Sequence, residues 1–426
     1  RSPIFVAECY LGLDFGTSGA RACLIDSVGG IVHEGRFVYP DSDGQQPADW
    51  RTALFDLLDG VPAEARSCLA AVAIDATSGT VLLVDAKGQP LGPALLYADT
   101  GAAREARTIG ALAGELHFVA SAGSGLSKLL RLLNQHGNER ACHACHQADW
   151  LTGLLSGRFG TSDYHNALKT GCDPEMLIWP NWMQALPIRP LLPELVAPGA
   201  SLGRLSAEVA RRFTLNPACV VRAGTTDSIA AFMAAGVDQP GEAVTSLGST
   251  LVLKLLSETR ADAPEYGVYS HRYGRLWLAG GASNAGAAVF SQYFSDRQLT
   301  KLSQQINAEH DSGLDYYPLP NPGERFPVND PQLLPRLEPR PADDRAFLHG
   351  LLESLARIEA LGYRRLMELG ASRLERVLTA GGGAKNETWR RIRQRALGVP
   401  VGTSEHTEAA YGTAMLARLG SEMLPG

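Results

Sequence analysis

Twice in this chain a run of β-forming residues stops at a turn of Gly, Ser and Thr and then resumes. The first case is YLGLD-FGTSG-ARACLID at 10–26 and the second AVTSL-GST-LVLKLL at 243–256. A turn of that composition between two apolar runs reads as a β-hairpin. Two such hairpins so far apart in 426 residues exceed what one ordinary core accommodates, so the chain divides into two domains with similar beginnings, 1–236 and 237–426.

The segments after each hairpin fill in an α/β pattern. Behind the first, IVHEGRFVY at 31–39 extends the hairpin to a three-stranded antiparallel meander. Trp50, Leu54, Leu57, Leu58 and Val61 recur at helical spacing behind Pro47, and apolar runs at 69–74 and 80–84 are expected to return to the same sheet. Residues 102–236 read as mostly helical, with a small-residue helix beginning near Ser228. After the second hairpin, 266–278 reads as a further strand region, and eight prolines in 315–342 mark an irregular surface excursion. Leu351, Leu352, Leu355, Ile358, Leu361 and Leu366 then form the stripe of a long helix capped by Gly370.

Composition excludes several classes. With 45% hydrophobic and 20% charged residues the chain can bury a large core and is not disordered. No apolar run approaches the roughly 18–20 residues that cross a bilayer, and the first residues lack an apolar leader core; the expected address is the cytoplasm, with no membrane partner. A net charge of -6 without any block of like charges argues against nucleic acid, so any anionic ligand must be held by local devices. Seven cysteines read as reduced thiols. Cys142, Cys145 and His146 spell C-x-x-C-H, the haem-attachment pattern, but attachment needs export and zinc usually needs a second C-x-x-C; the triplet is expected on a helix without a metal role.

Four segments carry chemistry. GLDFGTSGAR at 12–21 sets Asp14 at a strand end. Gly16, Thr17 and Ser18 follow in a turn whose N–H groups and hydroxyls suit the terminal phosphates of a nucleotide, and Asp14 suits a hydrated magnesium ion. Gly248, Ser249 and Thr250 offer a second turn of the same kind, so that two facing hairpins would grip one nucleotide. A Walker A loop is absent because the chain has no Gly-Lys dipeptide. In LTAGGGAKNETW at 378–389, Gly382 and Gly383 let the backbone approach a flat ligand. Asn386 and Trp389 lie three apart on one helix face, as a hydrogen bond and a wall for adenine or as a helix cap and a core residue. Asp227, in AGTTDSIAAFMAAG, reads equally as a charge at a helix N-terminus and as a general base that takes a hydroxyl proton during phosphoryl transfer.

In order, Asp-Phe-Gly-Thr-Ser, Thr-Thr-Asp, Gly-Ser-Thr, Gly-Gly-Gly-x-x-Asn and Tyr-Gly-Thr-Ala at 411–414 resemble the FGGY family of carbohydrate kinases. SGLSKLLRL at 124–132 and LTGLLSGRFGTSDYHNA at 151–167 add to the likeness, which spans nearly the whole chain. The resemblance implies an α/β fold of two actin-like (ribonuclease H-like) ATPase domains with a central cleft, sugar bound mainly on the first and ATP on the second. It implies Asp14 and Thr17 facing Mg2+ and phosphates, Asp14 also near the sugar, and Asp227 as the base. Gly248, Ser249 and Thr250 would cradle phosphate, Gly382, Gly383, Asn386 and Trp389 would surround adenosine, and 411–414 would connect the domains. The partners implied are ATP and a small sugar, on a monomer or homodimer.

Departures narrow the substrate. Xylulokinases of the family carry Met-His, and glycerol kinases Arg-Glu, where this chain has Ala76-Thr77-Ser78-Gly79. Short members with GLDFGTSGAR and a Thr-Ser-Gly loop resemble D-ribulose kinases, in which a small hydroxyl such as that of Ser78 binds the sugar. D-ribulose is therefore preferred, with a xylulokinase or another ketose or polyol kinase as the alternative. A nucleotide-gated binding protein resembling actin or Hsp70-type ATPases is the rival from another class; such proteins lack the sugar-side elements at 121–132 and 161–167.

Overall fold

The structure, a computed structural model, describes residues 8–41, 45–137 and 139–426. It divides into two compact units, one holding the chain up to Ala234 together with Glu408–Gly426, the other Ala235–Thr407.

In the first unit the meander forms as expected: β1 (Cys9–Phe15), β2 (Gly19–Asp26) and β3 (Ile31–Val38) pair antiparallel. Leu11, Leu13 and Phe15 alternate onto one face and pack in a core with Trp50, Leu54 and Leu57 of α1 (Pro47–Asp59). Past the single turn α2 (Ala63–Arg66), β4 (Leu69–Ala76) enters parallel to β1. Its near-continuous apolar run belongs to a strand covered on both faces.

The next strand departs from expectation. β5 (Val81–Val84) does not rejoin the main sheet but pairs with β6 (His143–His146) in a separate two-stranded sheet. The chain leaves β4 through Gly79, whose φ of 79° turns it away from the sheet. Of the C-x-x-C-H triplet, Cys145 and His146 consequently lie on strand β6 and Cys142 just before it, not on a helix. Between β5 and β6 lie α3 (Ala103–Ala113) and α4 (Gly125–His136). After β6 come α5 (Gln147–Ser156), β7 (Thr161–Asp163), α6 (Tyr164–Leu168), β8 (Glu194–Val196), β9 (Ser201–Arg204) and α7 (Ala207–Arg212). β10 (Val220–Arg222) and β11 (Thr225–Thr226) both lie parallel to β4, and α8 (Asp227–Ala234) follows directly. The main sheet runs β3-β2-β1-β4-β10-β9, with β11 also on β4.

The second unit repeats the plan. β12 (Glu242–Leu247) and β13 (Leu251–Ser257) form the expected hairpin; the region expected as one strand is two, β14 (Tyr269–Tyr273) and β15 (Leu276–Ser283), turning at Gly274. α9 (Asp296–Ser303) precedes the proline-rich stretch, which is irregular as expected yet anchored by Tyr316 and the fully buried Phe326. The long α10 (Asp344–Glu368) buries Leu351, Leu352, Leu355 and Ile358. β16 (Arg376–Ala380), α11 (Glu387–Leu397) and β17 (Val401–Thr403) complete the unit. Its sheet order is β14-β15-β13-β12-β16-β17, with β12, β16 and β17 parallel. Stripped of edge additions, β15-β13-β12-β16-β17 reproduces β3-β2-β1-β4-β10 of the first unit in order and direction.

The chain then returns to the first unit as α12 (Ala409–Leu419). The division at 234/235 lies close to the boundary read from sequence, but 408–426, read there as part of the second domain, packs with the first. Small residues make the return possible: a Cβ on Gly12 of β1 would sit 2.2 Å from the carbonyl oxygen of Ala410, and one on Gly412 1.9 Å from that of Ala230 in α8. Only glycine permits α12 to lie this close to sheet and helix.

Candidate active site

In the first unit the chemistry gathers at the C-terminal ends of the parallel strands. Register places Asp14 of β1 beside Asp75 of β4, and Asp75 beside Thr225 of β11. Asp75 has no exposed surface and Asp14 only 8%. Burial is the main force raising both carboxyls above their ordinary range. For Asp75 the neighbouring Asp14 charge adds to it, and Asp227 contributes as well; for Asp14 the hydrogen bond with Asp75 and the charge of Arg21 work the other way. Thr413 of α12 donates its hydroxyl to Asp75 Oδ2, while Oδ1 has no partner among the described residues. Arg21, opposite Asp14 on β2, pairs with Glu408 at the start of α12.

Asp227 follows β11 as the first residue of α8; it is half-buried and accepts a hydrogen bond from Ser228 N at 2.7 Å. The turn after β1 is closed by Gly16 N donating to Gly19 O at 3.0 Å, leaving Thr17 and Ser18 exposed, with Gln45 Nε2 holding the Thr17 carbonyl at 2.8 Å.

Around the end of β4 lies a set of buried polar atoms without partners among the described residues: Ser78 Oγ, Gln147 Nε2, Asn166 Oδ1 and Thr226 Oγ1, besides Asp75 Oδ1. Three of these residues are tied to the strand end by neighbours. Thr77 Oγ1 donates to Gln147 Oε1 at 2.8 Å, Asn166 Nδ2 donates to Thr225 O at 3.0 Å, and Thr226 pairs with Ala76. Buried polar atoms are normally satisfied, so a cluster of unmatched donors and acceptors is suited to a ligand rich in hydroxyls. Behind Gly79 stands Lys128, fully buried, with Nζ donating to Leu96 O at 2.8 Å and its pKa pushed down to about 8 by burial. Asp163 caps α6 through Asn166 N at 2.9 Å, and burial pushes its carboxyl up to about 7.

Sequence reasoning missed Asp75, Gln147 and Asn166. A signal for Asp75 existed: IDATSG at 74–79 echoes LDFGTSG at 13–19, a second strand end with Asp followed by Thr-Ser-Gly.

In the second unit Gly248, Ser249, Gly382, Gly383, Asn386 and Trp389 all line one cavity of about 680 Å³. Thr250 is not among its walls; its carbonyl accepts from Gly248 N and closes the turn. A Cβ on Gly382 would meet nothing within 4 Å, which leaves room for a ligand at that backbone. Asn386 is the N-cap of α11: its Oδ1 accepts from Trp389 N at 3.0 Å and its Nδ2 donates to Ser303 Oγ at 2.9 Å. Trp389 is 2% exposed, its ring edge-on to Phe290 at 5.5 Å. The capping and core readings of this pair therefore hold alongside their position at the cavity wall.

The oxygen-only donors Asp14 and Asp75 fit a hard divalent cation. Among the described residues no group of three or more His, Cys, Asp or Glu could hold a metal ion, so a cation here would need phosphate and water oxygens as well. None of the helices among those residues is long and apolar enough to cross a membrane.

Fold and site together define a two-domain ATPase architecture in which each unit carries its own glycine-hydroxyl hairpin. Residues 9–234 match the N-terminal domain, and 243–420 the C-terminal domain, of the FGGY family of carbohydrate kinases; the chain belongs to that family and is a sugar kinase that uses ATP. A xylulose kinase of Streptomyces coelicolor is 28% identical over 96% of this chain and 87% of its own length. A ribulokinase of Shouchella clausii is 26% identical over 58% of this chain and 53% of its own. The crystal structure of a xyloylose kinase from Brucella ovis superposes with a TM-score of 0.85 at 26% identity, covering 97% of this chain and 91% of that one.

Proposed function

We propose that the chain transfers the γ-phosphoryl group of ATP to a hydroxyl of a ketopentose, D-ribulose in preference to D-xylulose, with Asp227 as general base. The observation that carries the reading is the cluster of unpartnered polar atoms around Ser78, beside the Thr226–Ala76 pair that immediately precedes Asp227 in the chain. In this reading Ser78, Asn166 and Gln147 take sugar hydroxyls, and Asp227 accepts the proton of the attacking one. Asp14, with Thr17 and the adjacent turn, would hold Mg2+, which when bound neutralises charge on the phosphates. Gly248, Ser249 and Thr250 cradle phosphate, and Gly382, Gly383, Asn386 and Trp389 receive adenosine. Little covalent work is required, so the rate comes from alignment and charge stabilisation.

D-xylulose is the second reading, favoured by the xylulose kinases among the relatives. D-ribulose rests on the small Thr77-Ser78-Gly79 loop, whose Ser78 hydroxyl has no partner among the described residues and suits a sugar hydroxyl. A coupled ADP-release assay over D-ribulose, D-xylulose, L-ribulose and glycerol tests both. The highest kcat/KM on D-ribulose is expected. First rank for D-xylulose would overturn the preference, and hydrolysis indifferent to sugar would favour a nucleotide-gated binding protein.

A further inference from the structure

At the opposite end of β1 and β4 from the two aspartates, two of the seven cysteines stand in contact. Cys9 Sγ and Cys68 Sγ are 3.3 Å apart, and both thiols donate to the same acceptor, Ala65 O, at 3.4 and 3.2 Å. Cys9 N also donates to Cys68 O at 3.0 Å; Cys9 opens β1 and Cys68 is the turn residue immediately before β4. The side chains already converge, sulfur beside sulfur. Cys9 is 4% exposed, whereas Cys68 is half-open to solvent and is the sulfur a reagent reaches first.

We propose that Cys9 and Cys68 form a vicinal dithiol that a low-molecular-weight disulfide oxidises to an intramolecular disulfide. Cys68, as thiolate, attacks one sulfur of the reagent, forms a mixed disulfide and releases one small thiolate. Cys9 then loses its proton to solvent and attacks Cys68 Sγ; the Cys9–Cys68 bond forms and the second small thiolate leaves. The protein gives up two electrons and two protons, and the reagent is reduced to two thiols. Burial raises the Cys9 thiol pKa, with the Cys68 contact adding to it, so the second step is slow and quickens as pH rises. The bond ties β1 to β4 at the ends away from Asp14 and Asp75, whose register it leaves unchanged. It closes a loop of more than fifty residues, so the oxidised first unit is more stable and the kinase remains active.

The test uses the full-length chain incubated with oxidised glutathione at pH 8. The expected result is a fall of two in the count of free thiols from seven, a mass lower by two hydrogens, and a non-reduced peptide map joining Cys9 to Cys68. Tm should rise by several degrees and fall back with dithiothreitol, and Cys68→Ser should block all of these changes. Retention of seven thiols, arrest at a glutathione adduct on Cys68, or a map joining Cys68 to Cys219 would each overturn the proposal. The wild-type map decides it even if Cys9→Ser does not fold.

Discussion

The polar interiors beneath the two sites are built on opposite terms. In the second unit Arg393, 1% exposed, grips Glu359 through two hydrogen bonds of 2.6 and 2.7 Å. It also donates to Thr379 at 2.7 Å, while Thr245 donates to Glu359 at 2.6 Å and meets Tyr363 at 2.7 Å. Thr245 and Thr379 sit on β12 and β16 shortly before the two glycine turns, so this network fixes the strands from which the turns spring. In the first unit the polar atoms beneath Ser78 lack such closure. One interior is finished by the protein itself and serves as a rigid base; the other, in the proposed reading, is finished by substrate. Unmatched buried groups reduce stability, and under the proposed function that is the cost of a site able to recognise hydroxyls.

The contrast can be broken most severely at Asp227. Asp227→Ala should lower kcat by roughly 10²–10⁴-fold, the usual range for a lost general base, while equilibrium binding of ATP is retained; unchanged turnover would reduce Asp227 to a helix-end charge. Next in size, Glu359→Ala leaves Arg393 buried without its partner and should cost about 3–5 kcal/mol, read as a lower calorimetric transition for the second unit. Asp75→Asn should do the reverse. Stability at neutral pH is kept or gained because the burial penalty on the charge disappears, while kcat falls; a large stability loss would mean that Asp75 is a structural anchor only.

Titration sharpens the comparison through pH. The folded carboxyl of Asp163 sits at about 7, above its ordinary 3.8. A raised folded pKa favours the protonated form, so its contribution to stability is fully present below 3.8 and is lost as pH climbs through 7. Asp163→Asn should remove that slope between pH 4 and 7 in denaturant titrations and keep the α6 cap; an unchanged slope would clear Asp163 of the role. The smallest effect is at Asn386. Asn386→Ala removes an N-cap worth about 1 kcal/mol and should raise KM for ATP more than for sugar; a selective effect on sugar would contradict the nucleotide assignment of the cavity.

Much of this is legible in the chain. The two hairpins, the long α10 stripe and the Gly248 and Gly382 turns announce themselves because glycine and alternating apolar residues are local signals. The hidden parts depend on register and return. Asp75 matters only because β4 lies parallel to β1 with Asp14 alongside, and no local pattern states which strand will be its neighbour. Val81–Val84 reads like any buried strand, yet Gly79 diverts it to β6. The last helix carries an apolar pattern suited to either unit; only the fit of Gly412 and Ala414 against Gly12 and Ala230 decides where it packs.

That helix makes the second unit an insertion within the first, bounded by Ala235 and Thr407. During synthesis the inserted unit is complete while its host still waits for its closing piece, because Thr413 emerges from the ribosome after nearly everything it supports. Asp75 thus acquires its hydroxyl partner only after the inserted unit has been translated, and a nascent chain halted before Glu408 would hold a complete second unit and a first unit still lacking α12.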